Sequence, residues 1–200
     1  MIDVHAHLDD EQFDGDLDEV IGRAKQAGVE SVIVVAQFLD RQQKVLDLVE
    51  KHPKFLFAAL GMHPVQRNYV SVKESEFNEV EGLIRSSKGN ICAIGEVGLD
   101  FSPRFLTNGD EDKKHQREVF KREIEIANEF GIALNVHSRS AGRPVIDWLL
   151  EHKANSALLH AFSGNVKSAK KAIDAGYYFS IPPSFSLNTE REELVQGSSN

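Results

Sequence analysis

The sequence predicts an α/β fold, a TIM-type (β/α)8 barrel with about seven strands, on three observations. Short apolar runs rich in β-branched residues alternate with amphipathic helical segments along the 200 residues. The runs are apolar on both faces, as in a parallel sheet that is covered on both sides. Five potential metal ligands stand at the ends of separate runs, and closing the sheet brings such ends together. An open, doubly wound sheet is the alternative, but it would scatter these ligands along one rim.

The predicted strands and helices alternate without interruption. The seven predicted strands are, in order, IDVHAH, SVIVVA, FLFAALG, ICAIGE, IALNVH, SALLHAF and YYFSI. The six predicted helices between them span about residues 14–27, 41–51, 74–85, 110–130, 144–151 and 165–175. Gly28, Gly131 and Gly176 are plausible helix ends, because glycine tolerates the left-handed backbone that often follows a last turn. Pro144 suits a first turn, where its missing N–H has no helical partner.

The end of the chain does not complete the predicted barrel. A full (β/α)8 barrel has about 250 residues, and no eighth strand is recognisable after YYFSIPPS. We therefore expect a barrel domain over residues 1–184 and a divergent polar tail over residues 185–200, with one short polar helix near residues 189–195. The first and seventh strands of such an incomplete barrel would face a gap, and unpaired edges favour instability or association.

Composition limits the classes of function and the expected location. The net charge of −8 argues against sequence-independent wrapping of nucleic acid, which needs a basic face. It does not exclude a nuclease, because bound cations supply local positive charge. The sequence predicts no membrane span and no secretory signal. The single cysteine, Cys92, fits a reducing compartment and is expected in the core. An intracellular protein, cytoplasmic or nuclear, is therefore expected.

Four histidines and one glutamate form the predicted metal centre. His5 and His7 are two residues apart on a strand, so their side chains point to the same face. Glu96, His137 and His160 end the fourth, fifth and sixth runs. A buried carboxylate is costly unless paired or metal-bound, and its two oxygens can bridge two cations. These ligand types predict two divalent ions, such as zinc, magnesium or manganese. Hydrogen-bonded core histidines and a structural salt bridge are the alternatives.

Four further residues are candidates for roles around this centre. His63, in GMHP after the third run, is expected to contact substrate or to donate a proton. Arg139 and Arg143 follow the fifth run and can hold a phosphate through bidentate hydrogen bonds. Asp100 is either an acceptor that orients a ligand imidazole or a solvated turn residue.

The motifs together resemble one protein family. DVHAHL, GMHP, IGEVGLDF, NVHSR and LLHAFSG are similar, in the same order, to segments of the TatD family of metal-dependent deoxyribonucleases, within the amidohydrolase-like barrels. The resemblance runs from about residue 2 to residue 184, and DFSPRF, VHSRSAGRP and FSIPPS resemble one eukaryotic branch. It implies a (β/α)8 barrel that hydrolyses phosphodiester bonds in DNA, with stepwise cleavage from an end as one form.

The resemblance also implies roles for individual residues. It places a first metal on His5 and His7, a second on His137 and His160, and Glu96 between them. His63 matches a family position near the substrate phosphate, and DNA is the implied partner, with no membrane and no obligate protein partner.

One departure from the family pattern concerns an aspartate after the eighth strand, in a Thr-Asp-Ser-Pro setting. The family uses it to bind the first metal and to activate the attacking water. This chain has no counterpart, because its last aspartate is Asp174 in the sixth predicted helix, and Glu190, Glu192 and Glu193 lie on the polar tail helix. Either Glu96 or a metal-bound hydroxide alone would then have to prepare the nucleophile, and we expect activity that is weak or absent relative to a complete family member.

Two other functions stay open from the sequence. The chain can be a catalytically inactive, truncated barrel that acts by association or by loose metal binding. It can also be an amide or lactone hydrolase on the same kind of barrel. Many such enzymes bridge their metals with a modified lysine at the fourth strand, where this chain has Glu96.

Overall fold

A computed structural model describes residues 1–181 and shows a curled parallel sheet with helices packed on its outer face. The strands of this sheet are β1 (Ile2–Ala6), β2 (Ser31–Val35), β3 (Leu56–Leu60), β6 (Ile91–Gly98), β7 (Ala133–His137), β8 (Ala157–Leu159) and β9 (Tyr178–Phe179). Two short strands, β4 (Val65–Gln66) and β5 (Val70–Ser71), form an antiparallel hairpin. The helices are α1 (Leu17–Gln26), α2 (Gln42–Lys51), α3 (Phe77–Ser86), α4 (Asp110–Phe130), α5 (Gly142–Glu151) and α6 (Val166–Asp174).

The topology identifies an incomplete barrel. The strand order is β1-β2-β3-β6-β7-β8-β9, so successive strands of the sheet are always neighbours. A doubly wound sheet would instead reverse its order at a switch point. The side-chain amide of Asn135 on β7 donates a 2.7 Å hydrogen bond to the carbonyl of Val4 on β1. Those two strands would lie about 19 Å apart in a flat sheet, at about 4.8 Å per strand. The sheet is therefore curled, and the predicted barrel class is confirmed.

Both faces of the central strands are covered, as the apolar runs predict. Outward-facing side chains such as Val34, Leu60 and Ile94 join the helices in one large buried core. Inward-facing Val35 and Ala59 belong to a smaller buried cluster inside the curl. This division places apolar packing on the helix side of the sheet and leaves its carboxyl edge for polar side chains.

Cys92 is exposed, so the expectation of a core cysteine is wrong. The register between β3 and β6 shifts here: Ala58 pairs with Ile91, and the next residue, Ala59, pairs with Ala93. The extra residue in β6 interrupts the alternation of inward-facing and outward-facing side chains that the sequence pattern assumes. Cys92 lies at that interruption.

The predicted helices agree closely with the observed bounds. The α4 helix matches its predicted range, and Gly131 caps it with a left-handed φ of 70°. The α3 helix begins later than predicted because residues Glu74–Glu76 form a separate 3-10 turn before it. The β4–β5 hairpin lies outside the sequence prediction.

The proposed domain boundary after residue 184, the tail helix and the glutamates at 190, 192 and 193 lie outside the described residues. Within residues 1–181, β1 pairs only with β2, and β9 pairs only with β8. Over the same residues, no helix combines the length and the apolar character that a membrane crossing requires.

Candidate metal centre

The carboxyl ends of the parallel strands open into a cavity of about 720 Å³. All five predicted metal ligands and two of the three predicted substrate contacts line it: His5, His7, His63, Glu96, His137, Arg139 and His160. They lie on β1, β6 and β7 or just after β1, β3, β7 and β8. The curl of the sheet thus brings together side chains that are more than 150 positions apart in the chain.

His5 on β1 and His7 just after it present the same ring nitrogen to the cavity. The Nε2 atoms of His5 and His7 lie 3.2 Å apart. Nδ1 of His7 is 3.0 Å from the carbonyl of Val35, and Nδ1 of His5 is 2.9 Å from the Oδ1 of Asn135. Because both acceptors are oxygens, each Nδ1 carries the proton in the neutral ring and each Nε2 offers a lone pair.

Glu96 is buried at the centre of the histidine cluster. Five ring nitrogens surround its carboxylate: His137 Nδ1 at 2.8 Å, His160 Nε2 at 3.0 Å, His7 Nε2 at 3.2 Å, His63 Nε2 at 3.5 Å and His5 Nε2 at 3.7 Å. The first, second and fourth contacts go to Oε1, and the other two go to Oε2. One carboxylate therefore faces histidines on both sides.

The donor set fits divalent cations. Oε2 of Glu96 is buried and has no hydrogen-bond partner among the described residues. Beside it, two imidazole lone pairs face each other, an arrangement that is repulsive unless a positive charge lies between them. Two groups of three donors have ligand atoms within 4.8 Å of one another: His5, Glu96 and His160, and His63, Glu96 and His137. Each group alone provides a three-ligand set of the kind that holds a catalytic cation.

The pair that the family resemblance implies for the first metal is also close in space, because Nε2 of His5, Nε2 of His7 and Oε2 of Glu96 lie within 3.7 Å of one another. The two groups add other neighbours to these histidines. His5 lies with His160, and their rings stack at a centroid distance of 3.7 Å. His137 lies with His63, at a centroid distance of 4.4 Å. His63 is thus part of the donor cluster, although the sequence argument placed it only at the substrate side.

Burial and mutual contacts set the protonation of the cluster. Burial lowers the pKa of His5 to about 3 and that of His63 to about 4, in spite of the neighbouring Glu96. Burial alone would raise the pKa of Glu96, but His63, His160 and a hydrogen bond with His137 hold it well below the ordinary value. Two neutral imidazoles beside an ionised carboxylate are the protonation states that bind metal.

His137 differs from the other histidines because it lies between two carboxylates. Burial would lower its pKa, but hydrogen bonds with Asp100 and Glu96 raise it to about 9. Its Nε2 is 3.1 Å from Oδ2 of Asp100, so Asp100 is an orienting acceptor, one of its two predicted roles. Burial would raise the pKa of Asp100, and its hydrogen bonds with His137 and Ser102 lower it to about 2.

Asn135 is a site residue that the sequence argument missed. Its Oδ1 lies 2.9 Å from Nδ1 of His5 and 3.0 Å from Nδ1 of His160, so one amide oxygen orients two imidazoles. A signal was present: an amide interrupts the apolar run IALNVH two positions before His137, on the same face of the strand. Buried polar side chains need partners, and that requirement pointed to this contact.

The rim of the cavity holds one of the two predicted arginines. Arg139 lines the cavity and is exposed. Arg143 lies in the first turn of α5, outside the cavity, with its Nε 3.7 Å from Oδ2 of Asp147. The expectation that Arg143 holds a substrate phosphate is therefore wrong, because the helix begins at Gly142 and carries that side chain away from the strand ends.

Comparison with known proteins gives consistent matches over nearly the whole chain. A family profile described as TatD related DNase matches residues 2–198. Deoxyribonuclease TATDN3 of Homo sapiens is 42% identical over 200 residues, which cover 98% of this chain and 73% of the human protein. The 3'-5' ssDNA/RNA exonuclease TatD of Edwardsiella piscicida is 30% identical over 185 residues, covering 90% of this chain and 67% of that protein.

A solved structure gives the same result for the fold. YJJV, a TatD homolog from Escherichia coli k12, superposes with a TM-score of 0.77 and 27% identity. The superposition covers 90% of this chain and 66% of that one. The chain thus spans only part of the length of each of these relatives.

Proposed function

Because this chain belongs to the TatD related DNase family, we propose that it is a metal-dependent hydrolase that cleaves phosphodiester bonds in DNA. The observation that carries the proposal is the Glu96 carboxylate surrounded by five imidazoles on the floor of an open cavity of about 720 Å³. The names of the human deoxyribonuclease and of the Edwardsiella exonuclease support DNA as the substrate.

Two divalent cations fit the two donor groups that share Glu96. Such ions, when bound, lower the pKa of water and neutralise charge that develops on phosphate oxygens. The donor set is mostly imidazole, which favours zinc over manganese or magnesium. With a pKa of about 4, His63 is neutral near pH 7, so it serves better as a nitrogen donor than as a proton donor.

The remaining roles at the site belong to individual side chains of the protein. Glu96 stays ionised and would hold the cations, which when bound would prepare a water to attack the phosphate by lowering its pKa. Asp100 holds the ring of His137, and Asn135 holds those of His5 and His160. Arg139, on the rim, contacts the phosphate that lies over the floor of the cavity.

The test is a metal-supplemented hydrolysis assay on a DNA oligonucleotide with the wild-type chain and Glu96→Gln. The amide keeps the size of the side chain but removes the charge that both donor groups share. We expect wild-type cleavage that chelator abolishes, and a rate lower by roughly 100-fold or more in the variant, as for loss of a central electrostatic group. The matched control is Glu125→Gln, an exposed position on α4, which should cleave like wild type.

Two results would overturn the proposal. One is cleavage by Glu96→Gln at the wild-type rate, and the other is wild-type cleavage that persists in chelator. Counting bound ions by equilibrium dialysis separates the proposal from a barrel that holds metal loosely. Two tightly bound ions with turnover support it, and one weakly bound ion without turnover contradicts it.

A further inference from the structure

Two aromatic rings lie on the rim of the cavity, next to the metal centre. Tyr69, at the end of the β4–β5 hairpin loop, stacks on Phe105, with ring centroids 5.6 Å apart and planes 12° from parallel. Phe105 is buried, whereas Tyr69 is 73% exposed. Both line the same cavity as Glu96 and the histidines. One face of the tyrosine is thus supported by the protein, and the ring still presents a large apolar area to solvent.

The hairpin fixes the position of this tyrosine. Its loop turns through Asn68 and Tyr69, which both have left-handed backbones, with φ of 61° and 60°. Asparagine adopts this conformation readily, but it is uncommon for a bulky residue and has a conformational cost. The base of the hairpin is tied to the donor cluster, because both the N–H and the carbonyl of Val65 lie within 2.9 Å of Nδ1 of His63. Tyr69 is therefore coupled to the metal centre through a short, hydrogen-bonded segment.

Positive charge flanks the aromatic pair. Arg104 and Arg139 line the same cavity, and no carboxylate lies within ion-pair distance of either among residues 1–181. The guanidinium of Arg104 lies 4.5 Å from the ring centre of Phe105. Arg67 also lines the cavity but is neutralised by two hydrogen bonds from its Nε to Asp40. The two arginines without a carboxylate partner stand out in a chain whose net charge is −8.

An aromatic face beside two exposed arginines matches the chemistry of a single-stranded nucleic acid. Every base offers a π-face that stacks on an aromatic ring, and the backbone offers phosphates to arginine. A base inside a duplex is already stacked on both sides, so its face is not available. The surface therefore fits a strand that is unpaired next to the reacting phosphate.

We infer that Tyr69, supported by Phe105, stacks a nucleobase of single-stranded substrate next to the phosphate in the metal centre, while Arg104 and Arg139 contact backbone phosphates. The inference rests on the proposed nuclease function and adds the residues that position the strand. Tyr69 is a positioning residue in this assignment, because it contacts a base and not the reacting atoms.

Binding of a single-stranded oligonucleotide that contains 2-aminopurine tests the inference. The fluorescence of this base is quenched when it stacks, and a purely structural role of Tyr69 would not change that signal. Tyr69→Ala should lose the quenching and weaken binding by roughly 5-fold to 100-fold, the fold-change that corresponds to the loss of one base–aromatic stack. Tyr69→Phe and Tyr69→Trp should restore both readouts. Tyr178→Ala removes a tyrosine that is 69% exposed and does not line the cavity, and should bind like wild type.

Salt dependence tests the arginine part of the inference. In single strands the slope of log affinity against log salt changes by about 0.7 for each phosphate contact. Arg104→Ala should reduce that slope by this amount, and Arg143→Ala, whose side chain lies on the outer surface, should leave it unchanged.

The outcomes separate this inference from the proposed function. If the wild type cleaves DNA and Tyr69→Ala binds with unchanged affinity and quenching, the stacking assignment is wrong and the nuclease proposal stands. If the wild type cleaves no DNA with any divalent metal but binding depends on Tyr69, the nuclease proposal fails and the stacking surface stands.

Discussion

Asn135 shows how a single residue connects the fold to the chemistry of the site. It lies on the inner face of β7, where it reaches across the curl to β1 and holds Val4 through its amide nitrogen. Its oxygen accepts from His5 and His160, which fixes the tautomer in which each Nε2 is free to bind metal. The same side chain therefore joins two distant strands and prepares two donors.

Replacing Asn135 by alanine should weaken metal binding without removing a ligand. The rings of His5 and His160 lose their common acceptor and gain rotational freedom, and loss of such an orienting partner costs about 10- to 100-fold in metal affinity. Isothermal titration with zinc or manganese measures the change. Asn135→Asp keeps the acceptor and should retain more affinity than the alanine variant, and Asn90→Ala, in an exposed turn, is the control. Equal affinity in Asn135→Ala and wild type would contradict the orienting role.

Helices α2 and α4 position the loops that carry the site. Gln42 on α2 hydrogen-bonds both the N–H and the carbonyl of Gly61, at 3.3 and 2.7 Å. Gln116 on α4 does the same for Asp100, at 2.9 and 3.0 Å. In both cases a buried amide satisfies backbone groups that have left the sheet, as buried backbone requires. The segments after β3 and β6 are thus held from the helix layer.

Glu123 on α4 belongs to the same set of contacts but has an unusual protonation state. It is fully buried, and its Oε1 accepts from the N–H of Met62, next to His63, at 2.7 Å. Oε2 has no hydrogen-bond partner among the described residues. Burial raises the pKa of Glu123 well above its usual value, and the Met62 contact only partly offsets this effect. The carboxyl is therefore favoured in its neutral form in the folded protein.

Glu123→Gln should increase stability at neutral and alkaline pH, and the gain should shrink in acid. Below the ordinary pKa of glutamate, both the folded and the unfolded wild type keep the proton. In that range Glu123 does not make the free energy of unfolding change with pH. As pH rises, the unfolded state releases the proton first, and the wild type loses about 1.4 kcal/mol per pH unit until the folded state also ionises. Urea unfolding at about pH 5 and about pH 8 measures the difference.

The matched control for this change is Glu125→Gln on the exposed side of the same helix, which should shift the unfolding free energy similarly at both pH values. If the difference between wild type and Glu123→Gln is the same in acid and at alkaline pH, Glu123 is not held in its neutral form.

The donor cluster connects distant parts of the whole molecule. Its donors lie on β1, β6 and β7 or just after β1, β3 and β8, so a bound cation would cross-link strands that lie apart in the curled sheet. Without a cation, Oε2 of Glu96 has no hydrogen-bond partner within residues 1–181, and neighbouring imidazole lone pairs face each other. Metal binding and global stability should therefore be coupled.

Divalent metal should raise the melting temperature of the chain, and chelator should lower it. Ligand at about 100 times its dissociation constant adds about 2.7 kcal/mol, which corresponds to roughly 5–10 °C for a chain of this size. Thermal unfolding followed by circular dichroism, with and without zinc, measures the shift. His5→Ala should lose most of it, and Glu125→Gln should keep it. An unchanged melting temperature in the wild type would exclude a site that forms only on folding.

The sequence by itself determined the alternation of strands and helices, the barrel class and the candidate ligands, because these depend on local periodicity and on residue chemistry at strand ends. No long-range information was needed to predict the helix range 110–130 or to find the candidate ligands His5, His7, Glu96, His137 and His160. The predicted strands are short and apolar, so a polar residue at the end of one is conspicuous in the sequence.

Only the tertiary structure decided which potential ligands lie next to one another, because this depends on how far the sheet curls. It placed His5 beside His160 and brought His63 into the cluster. It also revealed Asn135 as an orienting residue and Tyr69 as an exposed ring on the rim. These contacts join residues on strands that are far apart in the sequence, or lie in an irregular hairpin. The local repeat of apolar residues carries no information on contacts of either kind.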